Sequence, residues 1–168
     1  MEFFFNILAI PFWSKLANFH GFLAMASLFL FGGCFVLYFL TNKAVIAVSW
    51  LKNSLLVLFV NLVLLDMAGL TIYAPYRASG GPRSFLLGTE ETAWLHQIVF
   101  EHKEFLAFAP PILIFVAFSI VKALGSDFGN KQKYLWLRRS VISSIILALI
   151  FVLTVAGEAV LVVKVAPL

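Results

Sequence analysis

The sequence predicts an all-α integral membrane protein: a four-helix up-down-up-down bundle with a short N-terminal interfacial helix. Hydrophobic residues make up 62% of the 168 residues and charged residues only 12%, whereas about a quarter of the residues in a soluble domain are charged. Four apolar stretches are each long enough to cross the ~30 Å hydrocarbon core as a helix. We therefore expect extensive contact with the lipid bilayer.

The apolar stretches define one transmembrane domain, 1–168. The predicted spans are 16–41, 53–74, 93–122 and 138–163. Pro75 is expected to end the second span, and Pro110-Pro111 to kink the third, because proline cannot donate a backbone hydrogen bond. Residues 1–13 are aromatic and lack the basic start and small-residue cleavage site of a signal peptide, which favours a retained interfacial helix.

Lysine and arginine predict the orientation of the bundle, because cytoplasmic loops carry an excess of both. Five of these residues lie at the end that contains both termini and the 75–91 loop: Lys15, Arg77, Arg83, Lys103 and Lys164. Seven lie at the other end: Lys43, Lys52, Lys122, Lys131, Lys133, Arg138 and Arg139. Both termini and the 75–91 loop are therefore predicted to be extracytoplasmic.

Each span carries an ionisable residue near its extracytoplasmic end. They are His20, Asp66, His102 and Glu158, at depths of roughly 6 to 12 Å inside their helix ends at ~1.5 Å per residue. Ionisable groups are costly inside a bilayer and usually face a bundle interior with a functional role. The pattern predicts one polar layer in the outer leaflet.

Two histidines at one depth on diagonally placed helices predict a b-type haem. His20 and His102 would be its axial ligands, since helical bundles build such sites from facing side chains. Arg77 and Arg83 would bind the propionates. As second-shell or proton-linked groups we expect Asp66, Glu158 and Glu101.

A single copper, zinc or iron ion is the alternative cofactor. Its ligands would come from His20, His102 and His96, together with the nearby carboxylates. The Glu-x-x-His spacing of di-iron bundles is absent, because Glu101 and His102 are adjacent and diverge by about 100° on a helix.

Other classes of protein find little support in the chain. The basic residues form no concentrated face, which argues against nucleic-acid binding. No phosphate-binding or dinucleotide-binding glycine motif and no Cys-x-x-Cys is present. The single cysteine, Cys34, cannot form an intrachain disulfide and is expected to be a packing residue.

Three segments resemble an uncharacterised family of small four-helix membrane proteins with helix-opening histidines. They are FHGFLA at 19–24, HKEFLAFA at 102–109 and AGEA at 156–159. The resemblance implies a haem-binding or redox role of the b-type cytochrome kind. The chain lacks the His-Pro that precedes the first helical histidine in that family, so the resemblance does not extend to a second haem.

The leading functional prediction is an electron-transfer subunit that works between a quinol and an extracytoplasmic redox partner, rather than a stand-alone enzyme. The competing prediction is a non-catalytic accessory or assembly subunit of a larger respiratory or oxidase complex, in which the polar layer holds helices together. A transporter or channel ranks last, because the cytoplasmic half offers few polar residues beyond Asn61 and Ser143-Ser144.

Overall fold

The computed structural model describes residues 11–130 and 132–166 and confirms the predicted fold class. These residues form helices and turns without strands, and four helices are long and apolar enough to cross a membrane. Large apolar side chains cover the outside of the bundle, as lipid contact requires. The predicted interfacial helix lies outside the described residues over 1–10, and its last two residues, Phe12 and Trp13, belong to the first long helix.

The first two spans are continuous helices joined by a tight turn: α1, Phe12–Leu40, and α2, Ile46–Arg77. Each runs beyond its predicted apolar stretch, because a helix satisfies its own backbone hydrogen bonds and can continue into the interface. The prediction that Pro75 ends the second span was wrong by two residues. Proline in the last helical turn removes one backbone donor but does not stop the helix.

Two short helices connect the second and third spans: α3, Pro82–Leu87, and α4, Glu90–Trp94. A tight turn before α3 depends on Gly81, where an added Cβ would lie 2.5 Å from the carbonyl oxygen of Pro75. Leu86 of α3 is fully buried against Tyr76 and Phe100. The connection therefore covers one end of the bundle, and we call it the cap.

The third span is segmented, whereas the fourth is continuous. After α4 the chain forms a π-helical turn, Leu95–Phe100, and then α5, Glu101–Ala107, and α6, Ala109–Leu124. A 3₁₀ turn, Gly125–Gly129, leads to the last helix, α7, Leu135–Val165. The helix is interrupted at Phe108, as the prolines predict, because Pro110 and Pro111 cannot donate to the carbonyls four residues earlier.

The four spans pack in chain order around the bundle. α1 lies against α2, α2 against α6 and α6 against α7, while α1 and α7 make a smaller contact that closes the ring. Spans one and three are consequently diagonal to each other, as predicted for an up-down bundle.

The bundle has two unlike halves along its length. The packed half has a continuous apolar core of fully buried side chains: Phe31, Cys34, Leu51, Leu55, Leu58, Ile114, Ala117, Val121, Phe128, Val141, Ile145 and Ala148. The cavity half lies under the cap and encloses a space between the spans, lined by residues from 17–24, 62–76, 100–110 and 152–166. Cys34 lies in the packed core, which confirms its predicted packing role.

Arg138 closes the far end of the packed half. Its side chain is 4% exposed and donates hydrogen bonds to the carbonyl of Phe128, to Thr41 Oγ1 and to Asn42 Oδ1. Tyr38 Oη in turn donates to the Arg138 carbonyl at 3.0 Å. A cation at this position also faces the carboxyl ends of α1 and of the 3₁₀ turn, where the helix dipole favours positive charge.

Candidate ligand-binding cavity

The cavity half contains a space of about 420 Å³ between the four spans. Most of its wall is apolar, and many of the wall residues are small: Ala17, Ala24, Gly69, Ala107, Ala156 and Ala159. Its polar lining consists chiefly of His20, Asp66, Tyr73, Lys103 and Glu104, with Tyr76 beneath the cap. An apolar cavity with a few convergent polar groups is the usual form of a small-molecule site.

His20 lines the cavity in a fixed orientation. Its Nδ1 lies 3.1 Å from the carbonyl oxygen of Leu65 on α2. A carbonyl can only accept, so Nδ1 carries the hydrogen and Nε2 of the neutral ring is left with a free lone pair. Nε2 has no hydrogen-bond partner among residues 11–130 and 132–166. His20 therefore offers one pre-oriented acceptor to a ligand.

Gly69 makes the position of His20 possible. An added Cβ on Gly69 would lie 3.2 Å from Cε1 of the His20 ring, which is closer than ordinary van der Waals contact. The group that approaches this glycine is the imidazole itself. The ring is thereby held against α2 by a backbone hydrogen bond on one edge and a glycine on its face.

Asp66 lines the same cavity, one residue after the carbonyl that anchors His20. Its carboxyl group makes no hydrogen bond or ion pair with any residue that the structure describes. Buried and partly buried polar groups are normally paired within the protein. A carboxyl group without a partner among the described residues, in the same cavity as a free imidazole nitrogen, is consequently available to a bound molecule.

The third span contributes Lys103 and Glu104, which sequence reasoning did not select for the site. Glu104 Oε2 accepts a 3.4 Å hydrogen bond from Tyr73 Oη, and Lys103 Nζ lies 4.5 Å from the centre of the Phe100 ring. Together with Ala107, these side chains form a stripe at helical spacing, Phe100, Lys103, Glu104 and Ala107. That spacing is visible in the sequence, although His102, one residue before Lys103, was predicted to face the interior.

His102 does not line the cavity. Its Nδ1 lies 2.6 Å from Glu158 Oε1 on α7, in the one ion pair found among the described residues, and its side chain is 57% exposed. The Glu158 side chain is 17% exposed, and its second oxygen is buried without a hydrogen-bond partner in the described part of the chain. Glu158 thus pairs with His102 on the outside of the bundle, and its second-shell role at a cofactor stays a prediction. Glu101 on the same turn is exposed.

His96 lies in the π-helical turn that begins the third span, directly after the cap, and it is 3% exposed. Arg83 Nε donates to its Nε2 at 3.0 Å, so its Nδ1 must carry the hydrogen that it shares with Tyr76 Oη at 2.9 Å. Both ring nitrogens are therefore occupied within the protein. Arg77 lies over the Tyr73 ring of its own helix, α2, at 4.3 Å, and Arg83, the other arginine predicted to bind a propionate, links the cap to the third span.

The predicted haem requires His20 and His102 to face one cavity, and these side chains do not. Nor do the described residues contain a group of three or more histidine, cysteine, aspartate or glutamate side chains placed to hold a metal ion. As they are arranged, the residues present do not fit a haem between the two predicted axial ligands. Haem binding remains a prediction from the sequence.

The fold and the cavity together define a class of protein: a four-span membrane protein with a ligand-sized, mostly apolar cavity in one half of its bundle. No protein-family model, curated protein or solved structure matches the chain.

Proposed function

We propose that this chain is a membrane-embedded redox subunit whose cavity binds the ring of a quinone or quinol. The observation that carries the proposal is that one apolar cavity contains an oriented His20 Nε2 and the carboxyl group of Asp66, neither of which has a hydrogen-bond partner among the described residues. A quinol has two hydroxyl donors on an apolar ring, and these two groups supply one acceptor each.

The same cavity also supplies a donor for the oxidised ring. A quinone has carbonyl acceptors in place of the hydroxyls, and the Lys103 ammonium in the cavity wall can donate to one of them, whereas Tyr73 Oη already donates to Glu104. The planar ring would pack against Phe100 and Tyr73, whose own rings are stacked 5.6 Å apart. Both oxidation states of one lipid-soluble carrier can therefore find complementary partners.

In this function His20 and Asp66 would receive the two protons that a quinol releases on oxidation. The two electrons would pass to a redox partner outside this chain. The distribution of lysine and arginine favours an extracytoplasmic position for the cavity half, so that partner would be extracytoplasmic too. This is the subunit role predicted from the sequence, with a quinol site in place of a bis-histidine haem.

Binding of a decyl-substituted para-benzoquinone to the purified protein in lipid nanodiscs tests the proposal. His20→Phe and Asp66→Leu each remove one hydrogen-bond acceptor for the ring, and we expect each to weaken binding by about tenfold, the contribution of one such hydrogen bond. His102→Phe is the matched control, because His102 lies outside the cavity, and it should bind as the wild type does. Unchanged binding by both cavity variants would refute the proposal.

Haem binding by His20 is the second candidate function. Hydrogen bonding of the other ring nitrogen to a backbone carbonyl is common among metal-ligating histidines, and His20 has that arrangement. A haem would supply one-electron storage within the chain. A reduced-minus-oxidised absorption spectrum of the same sample decides this candidate: it requires a haem band that His20→Ala abolishes and that His102→Ala leaves intact.

A further inference from the structure

A second hollow opens on the lipid-facing side of the bundle, between α2 and α6. Its α2 wall is Phe59, Val63, Met67 and Leu70, and its α6 wall is Pro111, Ile112 and Phe115, with Phe108 at the start of that wall. Every one of these side chains is apolar. The only ionisable residue in the wall is Asp66. We call this hollow the side groove.

The side groove adjoins the main cavity. Asp66, Leu70 and Phe108 line both spaces. Phe108 occupies the helix interruption between α5 and α6, where the backbone lacks the hydrogen bonds that Pro110 and Pro111 cannot make. The boundary between cavity and groove is therefore formed by two apolar side chains, one of them at a break in its helix.

The side groove runs along the helices, away from the cap. From Asp66 to Phe59 it follows α2 for seven residues, or about 10 Å at 1.5 Å per residue. It ends where the Phe59 and Phe115 rings meet with centroids 5.3 Å apart. A partner helix would be expected to follow the spans across the ~30 Å core, whereas a groove of this length and direction suits a single hydrocarbon chain.

We propose that the side groove holds the hydrocarbon tail of the molecule whose head occupies the cavity, and that this molecule enters from the bilayer between Leu70 and Phe108. The inference rests on the proposed quinone site and deepens it: the ligand is a tailed, membrane-resident quinone rather than a water-soluble ring. Its head lies beside His20 and Asp66, and its tail runs parallel to the lipid acyl chains.

The test compares two probes that share one ring, a decyl-substituted para-benzoquinone and the same ring without the tail. Affinities are measured in nanodiscs and expressed as mole fraction in lipid, so that the different partitioning of the probes cancels. Met67→Trp and Ile112→Trp fill the side groove at residues that do not line the main cavity, and each should weaken binding of the tailed probe by about tenfold, the usual cost of overpacking. Binding of the tailless probe should change less than about twofold, which also shows that each variant is folded.

Phe105→Trp is the matched control, since Phe105 is on the same span, is 80% exposed and lines neither space. It should leave both probes unaffected. Equal losses for the two probes, or no loss with either tryptophan in the side groove, would overturn the side-groove inference while leaving the quinone site in place. Failure of the wild type to bind either probe would instead refute the proposed function, and the inference with it.

Discussion

The packed half and the cavity half are built from the same four spans but differ in the size of the side chains between them. Leucine, isoleucine and phenylalanine fill the packed half, whereas alanine and glycine line much of the cavity. Small residues in membrane helices usually let helices approach each other closely. Here many of them instead face an enclosed space, so small residues alone do not distinguish a helix contact from a binding site.

The two halves also differ in how their polar groups are partnered. In the packed half, the buried Arg138 donates to three groups around it. In the cavity half, Asp66 has no hydrogen-bond partner in the described residues. A polar side chain that serves the fold is normally satisfied within the fold, and the lack of a partner is what marks Asp66 as available to a ligand.

The largest expected effect is on stability, and it comes from removing the hydrogen bonds that Arg138 donates at the end of the packed half. Arg138→Met removes the donor to Phe128, Thr41 and Asn42 and leaves their oxygens unpaired. We expect the free energy of unfolding to fall by about 3 kcal/mol, measured by denaturant titration in detergent. The neighbouring Arg139 is exposed over the Trp136 ring, so Arg139→Met should change stability by less than about 0.5 kcal/mol. Equal effects of the two substitutions would contradict the structural role of Arg138.

A smaller effect is expected from one substitution made in both halves. Leu58 is fully buried in the packed core, whereas Leu70 borders the cavity and is 55% exposed. Leu58→Ala creates a void among close-packed neighbours and should cost about 2 kcal/mol. Leu70→Ala removes the same atoms from a wall that already faces open space, and it should cost less than about 1 kcal/mol.

The same denaturant titration measures both leucine variants. If Leu70→Ala proved as destabilising as Leu58→Ala, the cavity half would have to be packed as tightly as the other half in solution. Helix contacts near residue 70 would then replace the open wall that the structure shows.

Sequence reasoning predicted the fold more completely than the site. Four spans, their order around the bundle and the interruption before Pro110 follow from apolar length, loop length and proline chemistry, which are local properties. The face that the third span presents to the cavity does not, because His102 was selected for its depth, and depth along a helix does not fix which face points inward. Hence His102 was assigned to the interior, and the structure places Lys103 and Glu104 there.

The hydrogen-bond partners of the histidines could not be predicted from the sequence either. His20 was selected for its depth in an uncharged span, and it does line the cavity. Its anchor, however, is a backbone carbonyl of α2, and no side-chain pattern signals such a contact. The buried His96 has two hydrogen-bond partners, one on α2 and one on α3. Only the folding of the cap brings these partners to the start of the third span.

The smallest expected effect comes from a comparison of two glycines, one in contact with the cavity residue His20 and one with no neighbour at the position of an added Cβ. Gly69→Ala adds a methyl group 3.2 Å from His20 Cε1, so the ring must shift by a few tenths of an ångström away from α2. We expect quinone binding in nanodiscs to weaken by roughly fivefold, because the Nε2 acceptor moves relative to Asp66. Stability should change little, since alanine also favours the helix by up to ~1 kcal/mol over glycine.

Gly157 on α7 is the matched control for that change, because nothing lies within 4 Å of a Cβ added there. Gly157→Ala should leave quinone binding unchanged and should gain the same helix propensity, so any difference between the two variants reports on the His20 ring alone. Equal binding by both variants would mean that the position of the imidazole does not matter to the ligand. His20 would then be a helix-packing residue, and the distinction between the two halves would rest on Asp66.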